Sequence, residues 1–297
     1  MTRRIYTIND YLKETFNTKI AKLSLPGGTT CPNRDGTKGT GGCIFCSESG
    51  SGDMAGDING QIALLSDKWP NVHKYLAYFQ SYTSTYAPAE VLRKRFYEVL
   101  DRDDVVGIAV ATRPDCLDDD ILELLDEINR THFIWVELGL QTIRDDTAER
   151  INRCYDLKVY DKAVKDLNGL GIRYVTHLIL GLPGETKNDM KDSLRYVCSD
   201  PVFGIKLHML NTVKGSAMEK LYPGYTSFES IDEYIDLVCD LLEITPPDVT
   251  IHRLTGDVPR PLLIAPEWSY KKRTILNGIQ REMKKRGSFQ GIKSCRA

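Results

Sequence analysis

Three cysteines crowd one short stretch of the chain: Cys31, then eleven residues, then Cys43 and Cys46 with only Ile44 and Phe45 between them. The long gap is rich in glycine and polar residues, so it does not carry the thiols into a packed core. Thiolates gathered on such a loop suit metal ligation better than burial. A tetrahedral zinc site needs a fourth donor, and the next ones, His73 and then Cys116, lie far along the chain. Three thiolates instead suit a [4Fe-4S] cluster held by three of its irons, with the fourth iron open to another ligand. The plainer alternative is a set of free or disulfide-paired thiols.

Such a loop has to be held by the element before it. Ile20–Leu25 alternates as a strand and stops at Pro26, so the cysteine loop leaves from its C-terminal end. A helix at 57–69 and a strand at 75–79 follow. The series continues with a helix over Ala89–Leu100, an apolar strand at 105–111, a helix at 118–129 and a strand at 133–140. Helical segments at 145–152 and 157–170, a strand at 174–180, a helix over Lys187–Val197, a strand at 204–210 and a helix at 231–242 complete it. A short helix at 9–16 precedes the series. After Pro246-Pro247, 249–253 reads as a further strand and 268–286 as a last, basic helix. Strands alternating with helices, the strands reading as apolar runs, imply a parallel sheet. Right-handed crossovers then curl it towards an α/β barrel, whose active site is built by loops at the C-terminal ends of the strands. The cysteine loop occupies one of those positions.

The 297 residues are 41% hydrophobic and 27% charged, an ordinary globular composition with material for a large core. No apolar run approaches the roughly 18 residues of a membrane span, and the N-terminus lacks the apolar core of a signal peptide. Five further cysteines (Cys116, Cys154, Cys198, Cys239, Cys295) are scattered singly, unlike a secreted disulfide framework. A cytoplasmic, reducing location without membrane contact is expected. Net charge is -2, which excludes a generic nucleic-acid binder, but from Ser269 onward nine basic residues face one acid, a local +8. That asymmetry points to an anionic partner for the tail.

A cysteine trio after the first strand of a six-unit βα series resembles the radical S-adenosylmethionine (SAM) superfamily. The resemblance implies a partial (β/α)6 TIM-type barrel over 19–245, with extensions at 1–18 and 246–297. It also implies a [4Fe-4S] cluster on Cys31, Cys43 and Cys46, with SAM on the open iron. Reductive cleavage, fed by an electron donor, would yield a 5′-deoxyadenosyl radical. The usual first gap is three residues. Eleven is similar to the subgroup related to the Elongator catalytic subunit, whose relatives work on tRNA.

Further segments match in register. Glu137-Leu-Gly-Leu-Gln141 resembles the segment that holds SAM, which makes Glu137 and Gln141 the expected ribose and amino-acid contacts. Either Arg150 or Arg153, just beyond, would pair with the SAM carboxylate. Gly181-Leu182-Pro-Gly184-Glu185 resembles the adenine-binding turn, where glycine allows close backbone approach. Many members carry Gly-Gly-Glu after the second strand; this chain has Phe79-Gln80-Ser-Tyr82-Thr83, leaving Gln80, with Tyr82 and Thr83, as polar substitutes. Together with Leu263-Ile-Ala-Pro-Glu-Trp268, these motifs look like one bacterial family. Its members are implicated in converting carboxymethylaminomethyl-uridine towards aminomethyl-uridine at the wobble position of tRNA.

For the substrate, Lys206 and His208 share one face of the sixth strand because side chains alternate with period two. An anionic glycine-derived side chain would suit Lys206 or Arg253, and His177 and His252 are similar candidates. A partner in the anticodon region of tRNA agrees with the basic tail. Two other readings stand beside this one: radical chemistry on a small molecule or peptide, and a non-catalytic Fe-S or zinc RNA-binding module.

Overall fold

The computed structural model describes residues 3–50, 52–256 and 258–294. Helix α1 (Ile8–Phe16), closed by a capping box between Thr7 and Asp10, leads into β1 (Ile20–Leu25) and, past the cysteine loop, α2 (Ile58–Lys68). There follow β2 (Lys74–Phe79), α3 (Ala89–Leu100), β3 (Val105–Thr112), α4 (Asp119–Thr131) and β4 (Phe133–Gln141). Helices α5 (Asp145–Arg150) and α6 (Leu157–Gly169) precede β5 (Arg173–Leu180), α7 (Lys187–Val197) and β6 (Gly204–Met209). The chain ends with β7 (Thr212–Val213), α8 (Ala217–Leu221), α9 (Ile231–Ile244), β8 (Thr250–Arg253), β9 (Leu263–Ala265) and α10 (Lys272–Lys285). The expected elements all form, β1, α3 and α7 with the expected ends and the others with ends no more than four residues away.

The strands make a curled, parallel sheet in the order β1-β2-β3-β4-β5-β6-β8, a partial barrel as anticipated. Period-two alternation sorts its residues between two faces. Leu23, Ala77, Phe79, Ile108, Val110, Val136, Leu138, Leu178 and Leu207 face outward into the main core beneath the helices. The opposite face lines the barrel interior. At the N-terminal end it is closed by Leu76, Ala109, Trp135 and Val175, with Ile8, Tyr11, Leu12 and Phe16 of α1 packed against them together with Phe133 and Phe203. Trp135, Phe133 and Phe203 meet at 5.7 and 5.9 Å between ring centroids.

Both extensions are bound to the barrel. The 1–18 segment supplies the closing helix and bridges Thr7 to Ile251. From the 246–297 segment comes the seventh strand, β8, parallel to β6, because Val249 and Ile251 are apolar enough to join the outer core. An antiparallel ribbon of β7 and β9 was not anticipated; two- and three-residue strands are too short for periodicity to register. No helix among the described residues is long and apolar enough to cross a membrane.

Candidate active site

Eleven loop residues separate the first two thiols, and the structure shows what they do. The loop folds back on the turn after α5: Asn33 is fully buried, its Nδ2 donating to the Asn152 carbonyl at 2.5 Å, while Asn152 Nδ2 donates to the carbonyls of Thr40 and Gly42 at 3.2 and 2.8 Å. Asn152 takes the left-handed conformation (φ 56°), which asparagine tolerates. Asn33 Nδ2 also lies 3.7 Å from Cys43 Sγ. Between the last two cysteines, Ile44 is buried against Ile151, Ile179, Leu182, Leu210 and Met218.

All three thiols line one cavity of about 260 Å³ at the C-terminal end of the sheet. They sense one another: burial and then the neighbouring Cys46 raise the Cys43 thiol, with Cys31 adding and Arg113 opposing. Among the described residues, no three His, Cys, Asp or Glu side chains converge as a single ion requires. Three thiols on the wall of one cavity suit a cluster, which takes each at a different iron.

Below the thiols, the inner face becomes polar. Glu137 is fully buried: its Oε1 accepts from Trp135 Nε1 at 3.0 Å, and its Oε2 from His177 Nε2 at 2.9 Å and from Lys206 Nζ. Lys206 also donates to Tyr78 Oη at 2.9 Å. Burial opposes ionisation of Glu137, but the Lys206 ammonium and the His177 hydrogen bond hold its carboxyl well below the usual range. Burial and the Lys206 charge push His177 down to about 4, so at neutral pH it is uncharged and donates its Nε2 proton to Glu137. The His208 ring lies tilted, its centroid 5.1 Å from that of His177, and burial and Arg253 hold it well below the usual histidine range. Lys22 completes the layer, its ammonium 4.6 Å over the Tyr78 ring.

The cavity brings together Cys31, Cys43, Cys46, Gln80, Glu137, Gln141, Arg153, His208 and Arg253. Six expected residues do not line it: Lys206, Arg150, Gly181, Leu182, Gly184 and His252. Lys206 is turned onto Glu137 and Tyr78, behind the cavity wall, and is 1% exposed. Arg150 donates to the Pro183 carbonyl and pairs with Asp146, bracing the 181–185 turn from outside. Leu182 packs under Ile44, and Gly181 and Gly184 (φ 84° and 86°) turn the chain beneath the cysteine loop, while burial lifts Glu185 to about 7. Glu137, expected at a ribose, has both oxygens already engaged by the barrel, four residues deeper along β4 than Gln141.

Other wall residues escaped notice in the sequence. Arg113 forms a buried bidentate pair with Asp115 at 2.9 Å, and Tyr155 sits between the Arg113 and Arg153 guanidiniums at 4.9 and 4.6 Å. Arg113-Pro-Asp-Cys116 follows β3 directly, so the barrel rule that singled out the cysteine loop would have found it. Cys154 is exposed beside the loop, its thiol 3.1 Å from Asn33 Oδ1. Cys295 lies outside the described residues.

Some buried side-chain atoms among the described residues have no hydrogen-bond partner. Three of them, Thr83 Oγ1, Arg153 Nη2 and His208 Nε2, belong to residues on the wall of this cavity. An unpaired buried polar group costs about 1–3 kcal/mol, so these atoms mark where a polar ligand makes up the difference.

A parallel half barrel with three thiols after its first strand and a charged interior beneath them defines an enzyme class that works on bound ligands through a cluster. The family described as Radical SAM superfamily matches residues 29–197, and Radical_SAM C-terminal domain matches 202–285. The chain belongs to the radical SAM superfamily, whose cofactors are a [4Fe-4S] cluster and SAM. It is 47% identical to the Bacillus subtilis protein YtqA over 97% of this chain and 92% of that one. It is 30% identical to Elongator complex protein 3 of Schizosaccharomyces pombe over 53% of this chain and 29% of the relative. The solved structure of Methanocaldococcus infernus Elp3 with an N-terminal deletion superposes with a TM-score of 0.69 at 16% identity, covering 91% of this chain and 64% of that one.

Proposed function

We propose that this radical SAM enzyme modifies the C5 side chain of the tRNA wobble uridine, converting carboxymethylaminomethyl towards aminomethyl. The observation that carries the reading is the deep polar layer. The substrate side chain is a zwitterion, an ammonium and a carboxylate one carbon apart. Beneath the thiols the cavity wall carries Arg253 and His208, whose Nε2 has no hydrogen-bond partner, in front of the buried Glu137–Lys206 pair. A purely apolar floor would give such a group nothing to pair with.

Cys31, Cys43 and Cys46 hold the cluster in this reading, and the bound cluster and SAM supply a 5′-deoxyadenosyl radical. The chain's own groups do the positioning. Arg153 is fixed by Nη1 bonds to the Leu140 and Thr142 carbonyls at 2.9 and 2.7 Å, and its Nη2, 3.8 Å from Asp145 Oδ1 and without a hydrogen bond, takes the SAM carboxylate. Gln80, Thr83 and Gln141 give further polar contacts on the same wall. Arg253 and His208 take the substrate carboxylate, and Lys206 keeps Glu137 ionised from behind. The aromatic closure at the far end keeps water from reaching the radical by that route.

After anaerobic reconstitution the protein should be brown and release 5′-deoxyadenosine with reductant. Cys43→Ala should lose both properties and Cys154→Ser neither. Transfer RNA from a strain lacking the gene should accumulate carboxymethylaminomethyl-uridine. An unchanged wobble profile would defeat the tRNA substrate, and a colourless protein holding only zinc would defeat the radical chemistry.

A further inference from the structure

The basic tail pointed to α10 as the face for an anionic partner, but the structure distributes those charges differently. Arg286 is drawn onto Asp236, Asp240, Glu243 and Glu282, Lys293 pairs with Glu243, and Lys285 with Glu282. Lys285, Arg286 and Lys293 are therefore neutralised by α9 and by Glu282 of α10 itself.

A different set of cations stands at the cavity mouth. Val213 and Val258 line the cavity, and the β7–β9 ribbon grows out of that wall. Next to Val213, Lys214 is exposed, and its backbone N–H donates to the Leu262 carbonyl at 2.8 Å. Two residues before Leu262, Arg260 is exposed with its guanidinium 4.5 Å over the Tyr270 ring, and Lys271 Nζ lies 5.9 Å from the same ring. Tyr270 is 41% exposed, and Ile264 on β9 is 39% exposed. Lys214, Arg260 and Lys271 make no ion pair among the described residues. Glycine 215, the next residue after Lys214, faces Glu48 of the cysteine loop, where a Cβ would sit 3.7 Å from Glu48 Oε1. The patch is thus joined to the rim that carries the thiols.

Cations alternating with an exposed aromatic ring are what a single-stranded nucleic acid uses: the cations track phosphates and the ring offers a stacking face to an unpaired base. We propose that the β7–β9 ribbon, through Lys214, Arg260, Tyr270 and Lys271, docks the backbone of an unpaired RNA loop whose target base enters the cavity. The proposal rests on the tRNA reading and assigns it a surface. On the C-terminal half of α10, Lys285 is paired with Glu282, while Arg281 and Lys284 are exposed but line no part of the cavity, which makes them the control for charge alone.

The test uses reconstituted holoenzyme with SAM and bulk tRNA from a strain lacking the gene, with affinity followed as salt is raised. Each phosphate contact to a single strand contributes about 0.7 to the slope of log K against log salt. The Lys214→Ala/Arg260→Ala/Lys271→Ala variant should therefore lower the slope by about 2, while Arg281→Ala/Lys284→Ala on α10 leaves it unchanged. Tyr270→Ala should weaken binding about fivefold or more with the slope kept, because stacking is not ionic. RNA-free release of 5′-deoxyadenosine should stay at the starting level in every variant, showing that each remains folded. A triple variant with unaltered slope overturns the ribbon assignment alone. If the unaltered holoenzyme binds no tRNA, the RNA reading fails with it. A polyglutamate peptide bound as tightly as tRNA would assign the ribbon to an acidic protein and overturn the proposal.

Discussion

Lys206 and His208 were placed on one inward face by simple alternation along β6, and that much was legible in the sequence. Their different fates were not, because the groups that decide them are distant in the chain. Lys206 meets a carboxylate 69 residues away, and that carboxylate is shared with His177, 40 residues from it. The result is a set of buried imidazoles kept neutral by their surroundings, and neutrality has a pH signature. Folded His177 stays uncharged down to about 4, whereas in the unfolded chain it takes a proton near its ordinary value of 6.5. Between these values the unfolded state binds more protons, so stability falls as pH drops from 6.5 towards 4, by about 3 kcal/mol for this one group. Urea midpoints of the cluster-free protein should decline across that window, and His177→Gln should flatten the decline. An equal slope in the variant would show that His177 is not the group responsible.

The cysteine loop is the element in which sequence and structure divide most clearly. Its position after β1 could be read from Ile20–Leu25 and Pro26, but the purpose of its long first gap could not. The gap is filled by contacts to the turn after α5, more than a hundred residues away. Gly39 is the tightest point: a Cβ there would overlap Asn33 Oδ1 and lie 2.9 Å from Cys154 Sγ. Asn33 is completely buried and has no space to yield, so Gly39→Ala should displace the side chain that aligns Cys43. Iron content after reconstitution should fall severalfold while the barrel melts at nearly its usual temperature. Full iron loading in Gly39→Ala would show that the loop sets itself without Asn33.

Across the whole molecule, the alternating pattern announced the barrel and a further strand at 249–253, but not that this strand joins the sheet beside β6. Four residues of β8 are a weak signal alone and a decisive one beside β6. Helix α10 then lies against α9, with Gly278 close enough that a Cβ would collide with Ile235 Cδ1, and with Cys239 Sγ 3.8 Å from the Ile279 carbonyl. A chain ending at residue 245 would bare the edge of β6 and the packed side of α9 together. It should be recovered as aggregate and lack near-ultraviolet circular dichroism, and a soluble, cooperatively melting fragment would show that 246–297 is dispensable. The closure of the barrel's other end by Tyr11, Phe16, Phe133, Trp135 and Phe203 has a kinetic meaning of its own. In the proposed reaction, ligands that enter at the C-terminal mouth share that doorway, and a polynucleotide seated there covers it. The proposed reaction is then expected to be ordered, SAM before the bulky substrate, so SAM added after saturating tRNA should be taken up more slowly than SAM added before it.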